Sequence, residues 1–318
     1  MPRMRTLGSS GLETPPLILG GNVFGWTADR EASFAVLDRF VAAGGTMIDT
    51  ADTYSAWAPG NKGGESETII GEWLKRRGGR DDVLIATKVG FAGGLGAGNI
   101  ARAIDGSLTR LGTDYVDLYY AHRDAPDVPI PETMEAFDRL VKAGKVRALG
   151  ASQYEADRLE QALDISAENG WTGYSVLQTW YSMVERPKFE DSLQDVVQRR
   201  GLGMCAFFAL ANGYLTGKYR GPEDLGKSVR GDRVEQYVSG NGPRVLAALD
   251  EVAAQCNATP AQVALAWTAA QPGVTAPLAS ARNPAQLEEL LLSLELELTT
   301  NQIAALTAGS DQQEETTT

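Results

Sequence analysis

The sequence predicts an α/β chain, a (β/α)8 barrel of the TIM type with an N-terminal β-hairpin and a long loop after the seventh strand. Three observations lead there. Eight short apolar or β-branched runs alternate with longer stretches of helical periodicity. Several of those runs begin roughly 30–40 residues apart, the length of one strand–helix unit. The chain has 318 residues, 43% of them hydrophobic, which suits one barrel domain and its core.

In chain order, residues 4–7 and 12–14, joined by Gly8-Ser9-Ser10-Gly11, read as the hairpin. The eight strands are expected at 17–20, 46–49, 83–88, 116–121, 145–151, 175–178, 204–207 and 274–278. Residues 31–42, 155–168 and 242–256 show helical spacing, and Pro260 suits the first turn of a helix over 261–270. An open doubly wound sheet is the alternative arrangement of the same elements. The Gly-rich run Gly93-Gly94-Leu95-Gly96-Ala97-Gly98 reads as a flexible loop after the third strand. Residues 211–241 are long, Gly-rich and weakly periodic, and a loop of that length in a compact domain is usually functional. The expected organisation is a single barrel domain over 1–310 and a disordered tail, 311–318.

Composition excludes several partners. The net charge of −12 argues against nucleic acid, which needs a basic face, and against an anionic membrane surface. No apolar run approaches the ~18 residues of a membrane span, and the first residues lack the apolar core of a signal peptide. The expectation is a cytoplasmic protein. Cys205 and Cys256 form no metal-ligand pattern, so no metal is expected and both read as buried free thiols.

Two glycine motifs need physical context before they mean anything. Gly221-Pro222-Glu223-Asp224-Leu225-Gly226-Lys227-Ser228 is a literal phosphate-loop match. A working one follows a buried strand and opens a helix whose N–H groups face phosphate, and neither flank fits. Gly201-Leu202-Gly203-Met204-Cys205-Ala206 matches a dinucleotide fingerprint, but it precedes a strand instead of following one.

The chemistry is carried by ionisable residues at the ends of early strands. Asp49 ends the second strand and Tyr54 follows five residues later; Lys88 ends the third; His122 ends the fourth. In a barrel these ends lie together on the catalytic face. Each residue alone has a plainer reading: a turn aspartate, a packed tyrosine, a surface lysine, a structural histidine. Together they form a proton-donor set. A lysine ammonium is expected to lower the tyrosine pKa from about 10, a carboxylate to hold the ammonium, and a histidine to orient a substrate oxygen.

On these residues the chain resembles the aldo-keto reductases over nearly its whole length. Arg5-Thr6-Leu7-Gly8 is similar to their hairpin, Asp49-Thr50-Ala51-Asp52-Thr53-Tyr54 matches D-x-A-x-x-Y, and Lys88 and His122 complete the family tetrad. The resemblance implies Tyr54 as general acid, tuned by Lys88 and Asp49, with His122 orienting the carbonyl. It also implies NADPH. Ser152, Gln153 (the usual Asn replaced) and Gln178 would hold the nicotinamide carboxamide, and Phe207 would stack on the ring. Phe208 and Ala209 replace the family's common Ser-Pro. Leu210, Asn212, Gly213, Lys218 and Arg230 would meet the pyrophosphate, Arg282 and Gln286 the 2′-phosphate, and Glu289 the adenine amine, with Leu290 in place of the usual Asn. Phe24, Trp26, Trp57, Phe91 and Tyr181 are candidates to line a pocket for a small-molecule carbonyl substrate. The implied activity is reduction of aldehydes or ketones by NADPH. The alternatives are a sugar or polyol dehydrogenase running in reverse and an NADP(H)-binding redox-sensing regulatory subunit. The natural substrate and the oligomeric state are not legible.

Overall fold

The computed structural model describes residues 3–228 and 231–311; Arg230 and all but the first residue of the expected tail lie outside them. A two-stranded antiparallel hairpin, β1 (Arg5–Thr6) and β2 (Glu13–Thr14), precedes a closed barrel of eight parallel strands. The barrel strands are β3 (Ile18–Gly20), β4 (Met47–Asp49), β5 (Leu84–Val89), β6 (Val116–Ala121), β7 (Val146–Ser152), β8 (Tyr174–Trp180), β9 (Gly203–Phe207) and β10 (Val274–Ala279). They pair in sequence order, and β10 closes on β3.

Parallel strands covered on both faces read as continuous apolar runs, which is why each was visible in sequence. Every residue of β6 is buried. The inner faces supply Ile18, Met47, Ala86, Leu118, Ala148 and Val176 to a barrel interior that also takes Leu7 and Leu12 from the hairpin. The hairpin therefore plugs the end of the barrel away from the catalytic face. Gly8, at φ +55°, passes so close to β9 that a Cβ would lie 2.3 Å from the Gly203 nitrogen. A Cβ on Gly203 would in turn lie 2.7 Å from the Gly8 nitrogen. The glycine of the false dinucleotide motif thus serves close backbone packing.

Helices cover the outside, beginning with α1 (Arg30–Ala42), α2 (Glu65–Arg77), α3 (Ala97–Leu111), α4 (Ile130–Lys142) and α5 (Ala156–Asn169). α6 (Pro187–Glu190) and α7 (Leu193–Arg200) follow β8. Helix α3 starts inside the run expected to be loop, which ends at Gly96. The long segment after β9 is a chain of short turns: 3-10 helices at Ala211–Thr216, Pro222–Lys227 and Gly231–Arg233, then α8 (Glu235–Ser239). No single period could have revealed it. α9 (Gly242–Cys256), α10 (Pro260–Ala270), α11 (Pro284–Leu291) and α12 (Thr300–Ser310) complete the chain. Cys205 is buried and Cys256 half-buried, both as free thiols. Among the described residues no helix is long and apolar enough to cross a membrane.

Candidate active site

Strand register brings the four predicted catalytic residues to one end of the barrel. Asp49 ends β4, Lys88 is the penultimate residue of β5, and His122 follows β6, its N–H donating to the Val89 carbonyl at 2.8 Å. Lys88 is fully buried and spends its three protons on named acceptors. These are Asp49 Oδ2 at 2.6 Å, the Thr50 carbonyl at 2.8 Å and Tyr54 Oη at 3.0 Å. Tyr54 donates to Asp49 Oδ2 at 3.3 Å, and Gln178 Nε2 donates to Asp49 Oδ1 at 2.9 Å. The buried carboxylate and ammonium are therefore paired and hydrogen-bonded, the condition under which charges survive burial.

The loop carrying Tyr54 is pinned from below. Thr50 Oγ1 donates to Ser66 Oγ at 2.8 Å, which donates to the Gly21 carbonyl at 2.8 Å. Ser55 adopts φ +71° and donates to the Phe24 carbonyl at 2.6 Å.

Electrostatics differ from the sequence expectation at one point. Burial pushes the Tyr54 phenol well above its usual value, and Asp49 adds to the rise. The expected lowering by Lys88 does not prevail against burial and against the Asp49 carboxylate that sits on the same ammonium. Burial also lowers the Lys88 pKa, against the pull of Asp49 and Asp52. His122 lies well below its usual value through burial, then Lys88 and Arg123. It is therefore a neutral imidazole at neutral pH.

Above the tetrad lies a cavity of about 710 Å³. Asp49, Tyr54 and His122 reach it, while Lys88 lies beneath Tyr54. Trp26, Trp57 and Phe91 form its aromatic wall, with Trp57 6.0 Å from the Tyr54 ring and Phe91 5.2 Å from His122. Phe24 and Tyr181 do not line it, contrary to the sequence expectation. Both are fully buried; Tyr181 stacks on Trp267 and donates to Glu190 Oε1 at 2.5 Å. Side chains alternate along β8 and just beyond it, so Gln178 and Trp180 face the cavity and Tyr181 faces the helices.

The residues assigned to a cofactor line the rest. Ser152, Gln153, Gln178 and Phe207 meet at the ends of β7, β8 and β9. Gln153, at φ +54°, donates its side-chain amide to the His122 carbonyl at 3.0 Å. Leu210, Asn212, Gly213 and Lys218 follow along the first turn of the long segment. Gly213, at φ +92°, leaves room for the Lys218 ammonium, which a Cβ would meet at 3.1 Å. Asn212 is buried and its Oδ1 has no partner. At the far end Asn283 caps α11 and Gln286 Oε1 accepts from the Arg282 N–H at 3.0 Å; Arg282, Gln286 and Glu289 all line the cavity. Arg230 lies outside the described residues.

Sequence reading missed Trp180, Phe208, Arg233, Asn22 and Ser280, which also line the cavity. Trp180 was hidden because the strand was ended at Gln178; β8 runs two residues further and sets Trp180 beside Phe207. Phe208, at φ +55°, packs on Trp180 with ring centroids 4.2 Å apart. The phosphate-loop lysine faces elsewhere: Lys227 Nζ donates to the Lys218 carbonyl at 3.0 Å and pairs with Asp224 at 2.7 Å.

Comparison with known proteins decides the family. The sequence profile of the Aldo/keto reductase family matches residues 16–311. The chain belongs to that family. Among its relatives, the aldo-keto reductase str7 of Strobilurus tenacellus is 33% identical over 301 residues, 92% of this chain and 84% of that protein. The L-glyceraldehyde 3-phosphate reductase of Escherichia coli O157:H7 is 33% identical, over 95% of this chain and 90% of its own. The aldo-keto reductase yakc [NADP(+)] of Schizosaccharomyces pombe is 29% identical over 96% of this chain and 91% of its own. These similarities and the barrel support an oxidoreductase.

Proposed function

We propose that the protein is an NADP(H)-dependent oxidoreductase that reduces an aldehyde or ketone to an alcohol, with Tyr54 as the proton donor. The observation that carries this reading is the Lys88 ammonium, buried beneath the cavity and shared between Asp49 and Tyr54. The phenol keeps its proton until a neighbouring oxygen gains negative charge. The ammonium 3.0 Å away then stabilises the phenolate left behind. Neutral His122 at the same cavity face orients the carbonyl oxygen.

The donor set fits a phosphorylated dinucleotide. Lys218 lines the cavity and supplies positive charge for a phosphate, and the unpartnered Oδ1 of Asn212 in the same wall is an acceptor that suits a ribose hydroxyl. Arg282, whose guanidinium has no partner among the described residues, stands at the start of α11, where a 2′-phosphate would gain from a charge-assisted bond. When bound, the nicotinamide supplies hydride to the carbonyl carbon. Phe207, Ser152 and Gln178 would hold its ring and carboxamide, and Trp26, Trp57 and Phe91 would exclude water from the reacting centre. The name yakc [NADP(+)] among the relatives supports the same cofactor. Purified protein mixed with NADPH and 4-nitrobenzaldehyde should oxidise the cofactor in proportion to alcohol formed. Tight NADPH binding without turnover across a panel of aldehydes, ketones and sugars would defeat the reductase reading.

A further inference from the structure

Outside the tetrad, a partly buried group of charges beside the Tyr54 loop has no role assigned so far. It lies where β4 leads into the Tyr54 loop and packs against α2 and α3. Asp52 stands two residues before Tyr54, and its backbone N–H donates to the Lys88 carbonyl at 3.3 Å. Its Oδ1 is buried without a hydrogen-bond partner. Glu67 of α2 is fully buried and accepts from Thr87 Oγ1 at 2.5 Å and from Arg110 Nε of α3 at 2.7 Å. Thr87 is the residue immediately before Lys88. The charged cluster thus grips the strand end that presents the lysine.

We propose that Asp52 is a positioning residue for proton transfer: with Glu67 and Arg110 it sets the charge behind Lys88, and so the ease with which Tyr54 gives up its proton. This rests on the reductase reading above. The groups acting on its carboxyl come from every neighbouring element: Glu67 from α2, Arg110 from α3 and Lys88 from β5, with Tyr119 of β6 in the same field. Burial pushes Asp52 up to about 7, and Glu67 adds to the rise, while Arg110 and Lys88 offset only part of it. Below that pH the carboxyl is neutral. Above it, a new negative charge faces the ammonium–phenol pair and disfavours the phenolate that reduction must form.

Tyr54 and His122 do not titrate in this range. Tyr54 titrates well above 10 and His122 well below 6.5. A step in the reduction rate near neutrality that Asp52→Asn removes therefore reports Asp52. At an effective dielectric of about 20, a unit charge in the same cluster changes a proton affinity by about tenfold or more, of which a transition state feels part.

The test is the pH profile of kcat for NADPH-dependent reduction of 4-nitrobenzaldehyde in wild type and Asp52→Asn. Wild type should step down about 3- to 10-fold as pH rises through 7. Asp52→Asn, which copies the neutral acid in shape, should hold the low-pH rate throughout. An Asp52→Asn profile with the same step, or one lowered equally at every pH, overturns the proposal. Infrared difference spectra of the cofactor-free protein, wild type minus Asp52→Asn, supply a readout independent of turnover. The carboxylic-acid C=O band should vanish with a midpoint near 7, and a carboxylate already ionised at pH 5 also overturns it. If Asp52→Asn does not fold, the same band is read in wild type labelled with 13C-aspartate. Wild type that reduces no aldehyde fails the reductase reading itself, and with it the catalytic role, whereas a missing step in an active enzyme fails this proposal alone.

Discussion

Lys88→Met is the sharpest test of how the site is held together. The ammonium is fully buried and donates to three oxygens within 3.0 Å. Methionine fills much of the same volume but donates nothing. Asp49, itself 1% exposed, would keep only Gln178 and the longer Tyr54 bond, and the Thr50 carbonyl would lose its partner. Removing one member of a buried ion pair costs about 3–5 kcal/mol, most of it the charge left behind. For a chain of this size roughly 2 °C of Tm corresponds to each kcal/mol, so Tm should fall by about 6–10 °C. Asp49→Asn/Lys88→Met removes both charges and should recover most of that loss, with a coupling energy of about 2 kcal/mol or more. Calorimetry on wild type, both single variants and the double variant closes the cycle. Single variants that each cost under about 1 kcal/mol and add without coupling would refute the claim that this is a desolvated pair.

Three further outcomes follow from the cavity. Tyr54→Phe should lower kcat for carbonyl reduction by about 10²–10⁴ while NADPH affinity stays nearly constant, as fluorescence titration would show; near-normal turnover sinks the proton-donor assignment. Arg282→Ala should weaken NADPH roughly 10- to 150-fold and NADH little, and equal losses for both would show that the guanidinium does not read a 2′-phosphate. Lys218→Ala should weaken NADPH whereas Lys227→Ala should not, since Lys227 is turned to Asp224 and the Lys218 carbonyl. Magnesium-dependent ATP binding that Lys227→Ala abolishes would instead restore the phosphate-loop reading.

Much of this was legible because burial constrains sequence. β6 and α9 have the very bounds their patterns suggest, 116–121 and 242–256. Ionisable residues at the ends of apolar strands stand out because charge is rarely buried without purpose. That is how Asp49, Lys88 and His122 were found and brought together. Side-chain direction was less legible. Trp26 faces the cavity while Phe24, two residues earlier, is buried beneath the Tyr54 loop, and no strand periodicity governs that turn. Tyr181 was misplaced for a related reason: with the strand ended at Gln178, alternation could not be carried on to Trp180. The long segment hid its structure because its turns rest on left-handed residues such as Ala211 and Asn212, which composition does not announce.

The tyrosine shows why naming a catalytic set is easier than reading its electrostatics. Sequence placed an ammonium beside a phenol, and that pair alone would lower the phenol's pKa. Folding adds two terms that spacing cannot weigh. Asp49 Oδ2 contacts the same ammonium at 2.6 Å and the phenol at 3.3 Å, so the phenol meets a pair instead of a cation. Burial then penalises phenolate on top of that. The resting phenol therefore keeps its proton at neutral pH, as the proposed donor role requires, and the Lys88 ammonium has to offset the cost of the phenolate that forms as the proton leaves. The proposed role of Asp52 follows the same route: its charge raises the Lys88 pKa, and Lys88 donates to the phenol.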